Sequence, residues 1–417
     1  MKSALSIWWD DAVAGELRMN EHGDVSFVYN AQWVDDPTRP ALSISLPKRV
    51  EPFGHRECRP FFDGLLPEEG ALENVARALG ISKGNDFALL KALGGDVAGA
   101  LTIWPAEGTP PKYDGKIQTK SLSDTALLKL LETLPKRPLL AGEEGLRLSL
   151  AGAQTKLPVV LVDRRIALPV PGQPTTHILK PPIKRFPATT ENEAFAMQLA
   201  ADLGLQVAPV EARVTKDQTY LLVTRYDRAT DASGRVQRLH QEDFCQALGV
   251  IPERKYATEG GPTFRAGFDL LRTATSSPAI EVLRLLNAAI FNLIVGNADA
   301  HGKNFSLLHE GGSTSLAPLY DLLCTVAYPD LSAKSAMKIG GAATIKDLTP
   351  RTWQKFAEET NLGAAFVRRR VKELADASQA QAPLTAKALA KPGLDKAALS
   401  RFAKIVQDRA DAVAASA

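Results

Sequence analysis

The stretch Asn297-Ala-Asp299-Ala-His301-Gly-Lys303-Asn304 decides how this chain is read. An apolar run, Ala279 to Val295, precedes it. Leu283, Leu286, Ile290 and Leu293 recur there at helical spacing, and Val282, Leu285 and Ala289 widen the stripe, so a buried helix is expected. Gly296 is placed to end that helix. Downstream, Phe305 to His309 reads as a strand, Glu310-Gly311-Gly312 as a turn, and Ser315 to Leu319 as the returning strand. If His309 pairs with Ser315, Asn304 faces Tyr320 and Asp321 is one step away, with cross-strand neighbours roughly 5 Å apart. The hairpin then brings Asn304 and Asp321 toward one point beside Asp299.

An Asp followed five positions later by an Asn is the spacing of a protein-kinase catalytic loop. There the Asp orients the attacking hydroxyl and the Asn holds a metal ion. Mg²⁺ takes hard oxygen ligands, commonly one or two carboxylates together with phosphate oxygens. Taken alone, Asp299 and Asn304 also suit ordinary turns, and Asp321 suits a helix cap.

Composition bounds the rest. The 417 residues carry 50 Lys+Arg against 47 Asp+Glu, a net charge of +3. That length suggests two or three domains, and that balance gives no broad nucleic-acid footprint. Cys58, Cys245 and Cys324 are far apart and odd in number, which suggests a reducing compartment and neither a disulfide framework nor a zinc site. The N-terminus has no signal-peptide core, and no apolar run long enough to span a bilayer is evident, so a cytoplasmic protein without membrane contact is expected.

Residues 1–107 read as a small α/β module. Strands are expected at Leu5 to Trp9, Asp24 to Tyr29, Leu42 to Leu46 and Ala100 to Trp104, and helices at Glu68 to Leu79 and Asp86 to Leu93. Between them lies the polar and aromatic segment Arg59 to Pro67. Gly94 to Gly99 is glycine-rich but misses GxGxxG and reads as a helix-to-strand turn. Ala106 to Tyr113 suits a linker. Residues 108–238 form a second segment, with strands at Val159 to Val162, Thr176 to Leu179, Ala208 to Val214 and Tyr220 to Val223 and an amphipathic helix from Glu191 to Leu203. Residues 239–417 read as mostly helical apart from the hairpin, with amphipathic helices from Phe366 to Ala375 and Lys396 to Ala414. Arg368 to Arg370 suit a solvated face, or contact with phosphate.

Other segments fit a nucleotide. Ser149-Leu-Ala-Gly-Ala-Gln-Thr-Lys156 is small-residue chain before a strand. It is not a Walker A sequence, but its backbone N–H groups could approach phosphate oxygens, and it also suits a plain turn. Lys180 ends a strand, as does the kinase lysine that holds α- and β-phosphates, with Glu193 and then Glu191 as helix partners. Leu222 to Arg228 reads as an extended connector able to offer backbone groups to adenine. Asp227 and Arg228 equally suit a structural ion pair.

In this order, these segments resemble the HipA family of bacterial toxin kinases. The matching stretches are Ser149 to Lys156, His177-Ile-Leu-Lys180, Arg225-Tyr-Asp-Arg228, His240 to Leu248, Gly296 to Ser306 and Tyr320-Asp321, with Phe61-Phe-Asp-Gly-Leu-Leu-Pro67 in the N-terminal module. The resemblance implies an α+β, two-lobed protein-kinase-like fold with an N-terminal α/β module and an all-α C-terminal lobe. It implies an ATP- and Mg²⁺-dependent serine/threonine-protein kinase of a toxin–antitoxin system. The implied partners are a small helix-turn-helix antitoxin (HipB-like), operator DNA mainly through that antitoxin, and an aminoacyl-tRNA synthetase as protein substrate.

By position, the resemblance makes Asp299 the catalytic base and Asn304 and Asp321 the Mg²⁺ ligands. Ala151, Gly152, Ala153, Gln154, Thr155, Lys156, Lys180, Thr224, Arg225, Tyr226, His301, Lys303, Asn304, Tyr320 and Asp321 would surround ATP. Ser149 would be the autophosphorylation site. Thr224 stands where some members carry Glu, and Tyr226 where Phe is common; a connector acting through its backbone is indifferent to both changes. Two other readings stay open. One is a nucleotide-binding corepressor that stabilises a DNA-bound antitoxin. The other is a metal-dependent hydrolase using Asp299, His301 and Asp321.

Overall fold

The computed structural model describes residues 3–143 and 146–417. The chain forms two compact units, each drawn from three segments. The first holds residues up to Pro181, Val223–Glu253 and Leu307–Gly312; the second holds Pro182–Leu222, Arg254–Ser306 and Ser313–Ala417. The sequence boundaries near residues 107 and 238 both fall inside the first unit.

The first unit begins with an antiparallel sheet of order β3-β2-β1-β4. Its strands are β1 (Ser3–Trp9), β2 (Ala12–Met19), β3 (Val25–Tyr29) and β4 (Leu101–Pro105). Period-two alternation sends Leu5, Ile7, Val25, Phe27 and Tyr29 into one core. The strand expected at Leu42 to Leu46 is absent and the segment is a turn. The Ser43 hydroxyl donates to the Glu242 carboxylate and the Ser45 hydroxyl to the Gln246 carbonyl, at 2.7 Å for the latter, in place of a ladder. The aromatic segment lies largely in an unforeseen helix, His55–Asp63. The Glu57 carboxylate accepts from Gly54 N at 2.8 Å at its start, and Cys58, Phe61 and Phe62 are buried.

In the same unit, β5 (Thr119–Ser121), β7 (Arg165–Pro169), β6 (Leu157–Val162) and β8 (His177–Lys180) lie side by side in that order. The β6–β7 hairpin turns through Asp163 and Arg164 at φ of 47° and 64°. Positive φ at both central positions marks a type I′ turn, here without the glycine that usually signals one. That is why β7 escaped the sequence reading.

The second unit is built on the helix Pro278–Val295, packed by Phe264–Ala274, Ala364–Leu389 and Lys396–Ala415. Its mean hydropathy of 1.6 over 18 residues meets the length and apolarity of a membrane span, contrary to expectation; 61% of it is buried in the protein, as befits a core helix. Leu283, assigned to the buried stripe, is 39% exposed. The helix Thr189–Asp202 is not amphipathic, since Glu191, Asn192 and Glu193 are buried along with its apolar residues. The two C-terminal helices cover its outer side. Polar partners make this tolerable: Asn192 bonds the Cys324 backbone at 2.7 and 3.0 Å, and Glu191 accepts from Asp395 N at 3.1 Å. Arg370 is held by Asn287 and Glu373 at 2.7 and 3.0 Å.

Candidate active site

Gly296 closes the core helix at φ 77°, a conformation costly to any residue with a Cβ. The chain beyond is pinned from several sides. Asn297 donates to Asn292 Oδ1 at 2.9 Å, Ala298 N to Thr325 Oγ1 at 2.8 Å, and Ala336 N to the Ala298 carbonyl at 2.8 Å. Asp299 therefore projects from a fixed loop and is exposed. Its amide bonds Asn297 Oδ1 at 3.2 Å, and its Oδ1 accepts from the Tyr256 hydroxyl at 2.8 Å. The His301 ring meets the Tyr256 ring edge-on at 5.2 Å. His301 and Lys303 are buried, and the Gly302 amide donates to the Lys255 carbonyl at 3.3 Å.

Asn304 and Asp321 do come together. The Asn304 side-chain nitrogen donates to Asp321 Oδ2 at 3.3 Å, while Asn304 Oδ1 accepts from His301 N at 3.1 Å. Asp321 sits at φ 58°, a strained backbone of the kind found at ligand clamps. The strands flanking Gly311 and Gly312 are Ser306–Glu310 and Ser313–Leu316. The returning strand stops short of Leu319 because Leu319 bonds residues 206 and 208 instead, at 2.8 and 2.9 Å. The Tyr320 hydroxyl donates to the Lys303 carbonyl and meets Ser306 Oγ, each at 2.7 Å. The Asp321 carboxylate and the Asn304 amide, both half-buried, could hold Mg²⁺ only with the amide turned, since its nitrogen faces Asp321 and its oxygen faces His301 N. Among the described residues no three His, Cys, Asp or Glu side chains gather as a metal cluster, so the hydrolase reading lacks its two-metal site.

In the first unit the small-residue chain forms a closed loop. Lys156 Nζ donates to the Ala151 carbonyl at 2.7 Å, and Gly152, at φ 106°, accepts from Glu68 N at 3.2 Å. Ala153 is exposed, and Ala151, Gly152, Gln154, Thr155 and Lys156 are half-buried. Ser149 is fully buried, its hydroxyl donating to the Leu65 carbonyl at 2.6 Å. Lys180 is buried at the end of β8. Thr224 and Tyr226 are half-buried, and the Tyr226 hydroxyl bonds Gln241.

The Arg225 guanidinium clamps Asp227 at 2.7 and 2.9 Å and reaches Asp96 at 3.2 Å, all three residues being buried. Any contact of Arg225 with a nucleotide therefore runs through its backbone. Asp227 also meets Arg228 at 3.0 Å, the structural ion pair considered above. Asp96 and Tyr256 were missed by sequence reasoning. Asp96 lies among glycines, where a turn explains it, and nothing in the sequence around Tyr256 points to Asp299.

Family models agree with this arrangement. Residues 5–104 match the HipA N-terminal domain, and residues 148–382 match the HipA-like C-terminal domain.

The chain belongs to the HipA family.

It is 55% identical over 413 residues, 98% of each chain, to a Sinorhizobium fredii protein carried under the provisional name kinase Y4mE. It is 31% identical to the serine/threonine-protein kinase toxin HipA of Shewanella oneidensis, over 79% of this chain and 77% of that one. A solved structure of the Shewanella oneidensis HipA, HipB and operator DNA complex superposes with a TM-score of 0.85 at 27% identity, covering 98% of this chain and 96% of that one. The fold is thus the α+β, two-lobed, kinase-like fold of HipA.

Proposed function

We propose that this HipA-family chain is an ATP-dependent serine/threonine-protein kinase toxin that transfers the γ-phosphate of ATP to a protein Ser or Thr. The observation that carries the reading is the rigid loop that presents Asp299 and joins Asn304 to Asp321 at 3.3 Å. Asp299 would accept the proton of the acceptor hydroxyl, being exposed and held by a pinned backbone. Asn304 and Asp321 would hold Mg²⁺, with the Asn304 amide turned to present its oxygen; the bound ion neutralises charge on the β- and γ-phosphates. Ala151 to Lys156 would offer backbone N–H groups to phosphate oxygens. Lys180 would offset charge on the migrating group.

By likeness to the Shewanella complex, the partner would be a HipB-like helix-turn-helix antitoxin, with operator DNA reached mainly through it. The HipA resemblance implies an aminoacyl-tRNA synthetase as substrate and growth inhibition through translation; the cysteine usage fits a cytoplasmic location. It also makes Ser149 a regulatory autophosphorylation site. Ser149 must leave the Leu65 carbonyl before it can be modified, so phosphorylation and a displaced loop would be one event. Mass spectrometry of protein made with Asp299 and with Asp299→Asn checks this. Phosphate on Ser149 only in the first sample is expected, and phosphate in neither removes the switch.

The main test is transfer of labelled γ-phosphate to protein, paired with growth assays of wild type and Asp299→Ala. The variant should bind Mg·ATP, transfer nothing and lose growth inhibition. A variant as toxic as wild type would transfer the role to the corepressor reading.

A further inference from the structure

The glycine-rich turn between the helix Asp86–Leu93 and β4 places one carboxylate where the nucleotide-binding segments of the first unit meet. Asp96 is 2% exposed. Its Oδ2 accepts from Thr175 Oγ1 at 2.6 Å, Thr175 N at 3.3 Å and Arg225 Nη1 at 3.2 Å. Its Oδ1 accepts from Arg228 Nη2 at 2.9 Å and Arg238 Nε at 3.1 Å. Its backbone is used as well: the amide donates to the Arg147 carbonyl at 2.9 Å, and the carbonyl accepts from Ser149 N at 3.0 Å. The rest of the turn repeats the pattern. The Val97 carbonyl accepts from Arg225 and Arg228 at 2.9 and 3.0 Å, and Gly99 N donates to Asp227 Oδ2 at 2.7 Å.

These contacts have three destinations. Ser149 opens the small-residue loop. Thr175 leads into β8, which ends at Lys180. Arg225 lies within the connector and Arg228 ends it. Each segment is assigned to ATP in the proposed function, and Asp96 bonds to all three; the Arg225 guanidinium and amide also reach Thr175 Oγ1 and the Thr176 carbonyl directly, at 2.8 and 3.0 Å.

The charges make the carboxylate hard to replace. Two carboxylates, Asp96 and Asp227, face three guanidinium groups, of Arg225, Arg228 and Arg238. Burial by itself would raise the Asp96 pKa, but Arg228, Arg225 and Arg238 outweigh it and hold the carboxyl well below its ordinary range. Burial and the neighbouring Arg225 push the Arg228 pKa down to about 10, against the opposing pull of Asp227 and Asp96. Neutralising Asp96 leaves Asp227 alone against all three.

We infer that Asp96 is a positioning residue for nucleotide binding: from the N-terminal module it sets the small-residue loop, the approach to Lys180 and the connector in register with one another. The inference rests on the kinase reading and deepens it. A residue that only held the fold together would lower stability and leave the nucleotide affinity of folded protein alone.

The test uses the full-length chain with Mg·ATP, by calorimetry for affinity, thermal unfolding for stability and steady-state transfer for kcat and KM. Asp96→Asn keeps the shape and removes the charge. The expected result is a Kd and a KM for ATP raised at least tenfold, with kcat at saturating ATP within about threefold of wild type. Adding Arg238→Gln, which removes the most exposed guanidinium of the three, should bring Kd back to within about threefold. An unchanged Kd in folded Asp96→Asn overturns the inference, and so does a weakened Kd that Arg238→Gln does not restore. If Asp96→Asn fails to fold, Thr175→Val decides. It deletes the 2.6 Å hydroxyl link to Asp96 together with the 2.8 Å bond that the same hydroxyl accepts from Arg225, and should raise Kd about threefold or more; an unchanged Kd overturns the inference. Wild type that fails to bind Mg·ATP removes the kinase reading; wild type that binds it, with Asp96→Asn binding equally well, removes this inference alone.

Discussion

The hydroxyl of Tyr256 donates a 2.8 Å hydrogen bond to Oδ1 of Asp299, 43 residues further along the chain. One oxygen of the carboxylate is thereby engaged. The edge-on His301 ring limits where the Tyr256 ring can go.

Tyr256→Phe removes the hydroxyl and keeps the ring. A hydrogen bond to a charged group contributes about 1.5–3 kcal/mol, so an unheld Asp299 should lower phosphoryl transfer by roughly tenfold or more. Mg·ATP affinity should not move. The measurement is kcat alongside Kd. A faster variant would mean that the hydroxyl obstructs the base and does not orient it.

Asp321→Ala takes away the only carboxylate beside Asn304 among the proposed metal ligands. ATP binding should then lose its dependence on Mg²⁺. Titrations with ATP, with and without Mg²⁺, read this directly, and Mg·ATP affinity equal to wild type would reject the metal role.

Gly296→Ala forces a Cβ into left-handed backbone at φ 77° and presses it on Val326 Cγ2. Strain of this kind costs on the order of 1–3 kcal/mol. Denaturant unfolding should show that loss. Transfer should fall too, because the Gly296 carbonyl accepts from Thr325 Oγ1 at 3.0 Å and from Val326 N at 3.2 Å, bonds that brace the Asp299 loop. Full stability in the variant would mean that the loop absorbs the change.

His240 should make the fold acid-sensitive. Its pKa is pushed down to about 3 by burial and by neighbouring His309, while its Nε2 bonds the Leu42 carbonyl at 2.8 Å. The unfolded chain binds this proton near pH 6.5 and the folded chain does not. The contribution is therefore complete above pH 6.5 and is lost as pH falls toward 3. At pH 5 the loss is about 2 kcal/mol. The difference in urea midpoint between pH 7 and pH 5, compared for wild type and His240→Gln, isolates it from Asp63, whose pKa burial and Asp86 raise to about 8. Equal pH dependence in both proteins would remove the assignment.

The neighbourhood of Asp299 was legible in the sequence because its logic is local. A helix stripe ended by Gly296, and a hairpin turning at Gly311 and Gly312, bring Asn304 and Asp321 together across 17 residues. Turn chemistry and side-chain period suffice for that approach, although Glu310, read as turn, is strand, and the return runs Ser313–Leu316. The same local rules failed where long-range contacts took over: Leu42 to Leu46 formed no strand, and the helix from Thr189 buried Glu191, Asn192 and Glu193 along with its apolar residues. Only tertiary structure decided what Asp96, Arg225, Ser149 and Tyr256 do. Asp96 finds Thr175 and Arg225 79 and 129 positions away, and Ser149 reaches back 84 positions to Leu65. Such pairs leave no periodicity in a sequence. They form because a buried charge or hydroxyl must find a partner wherever the packed chain provides one.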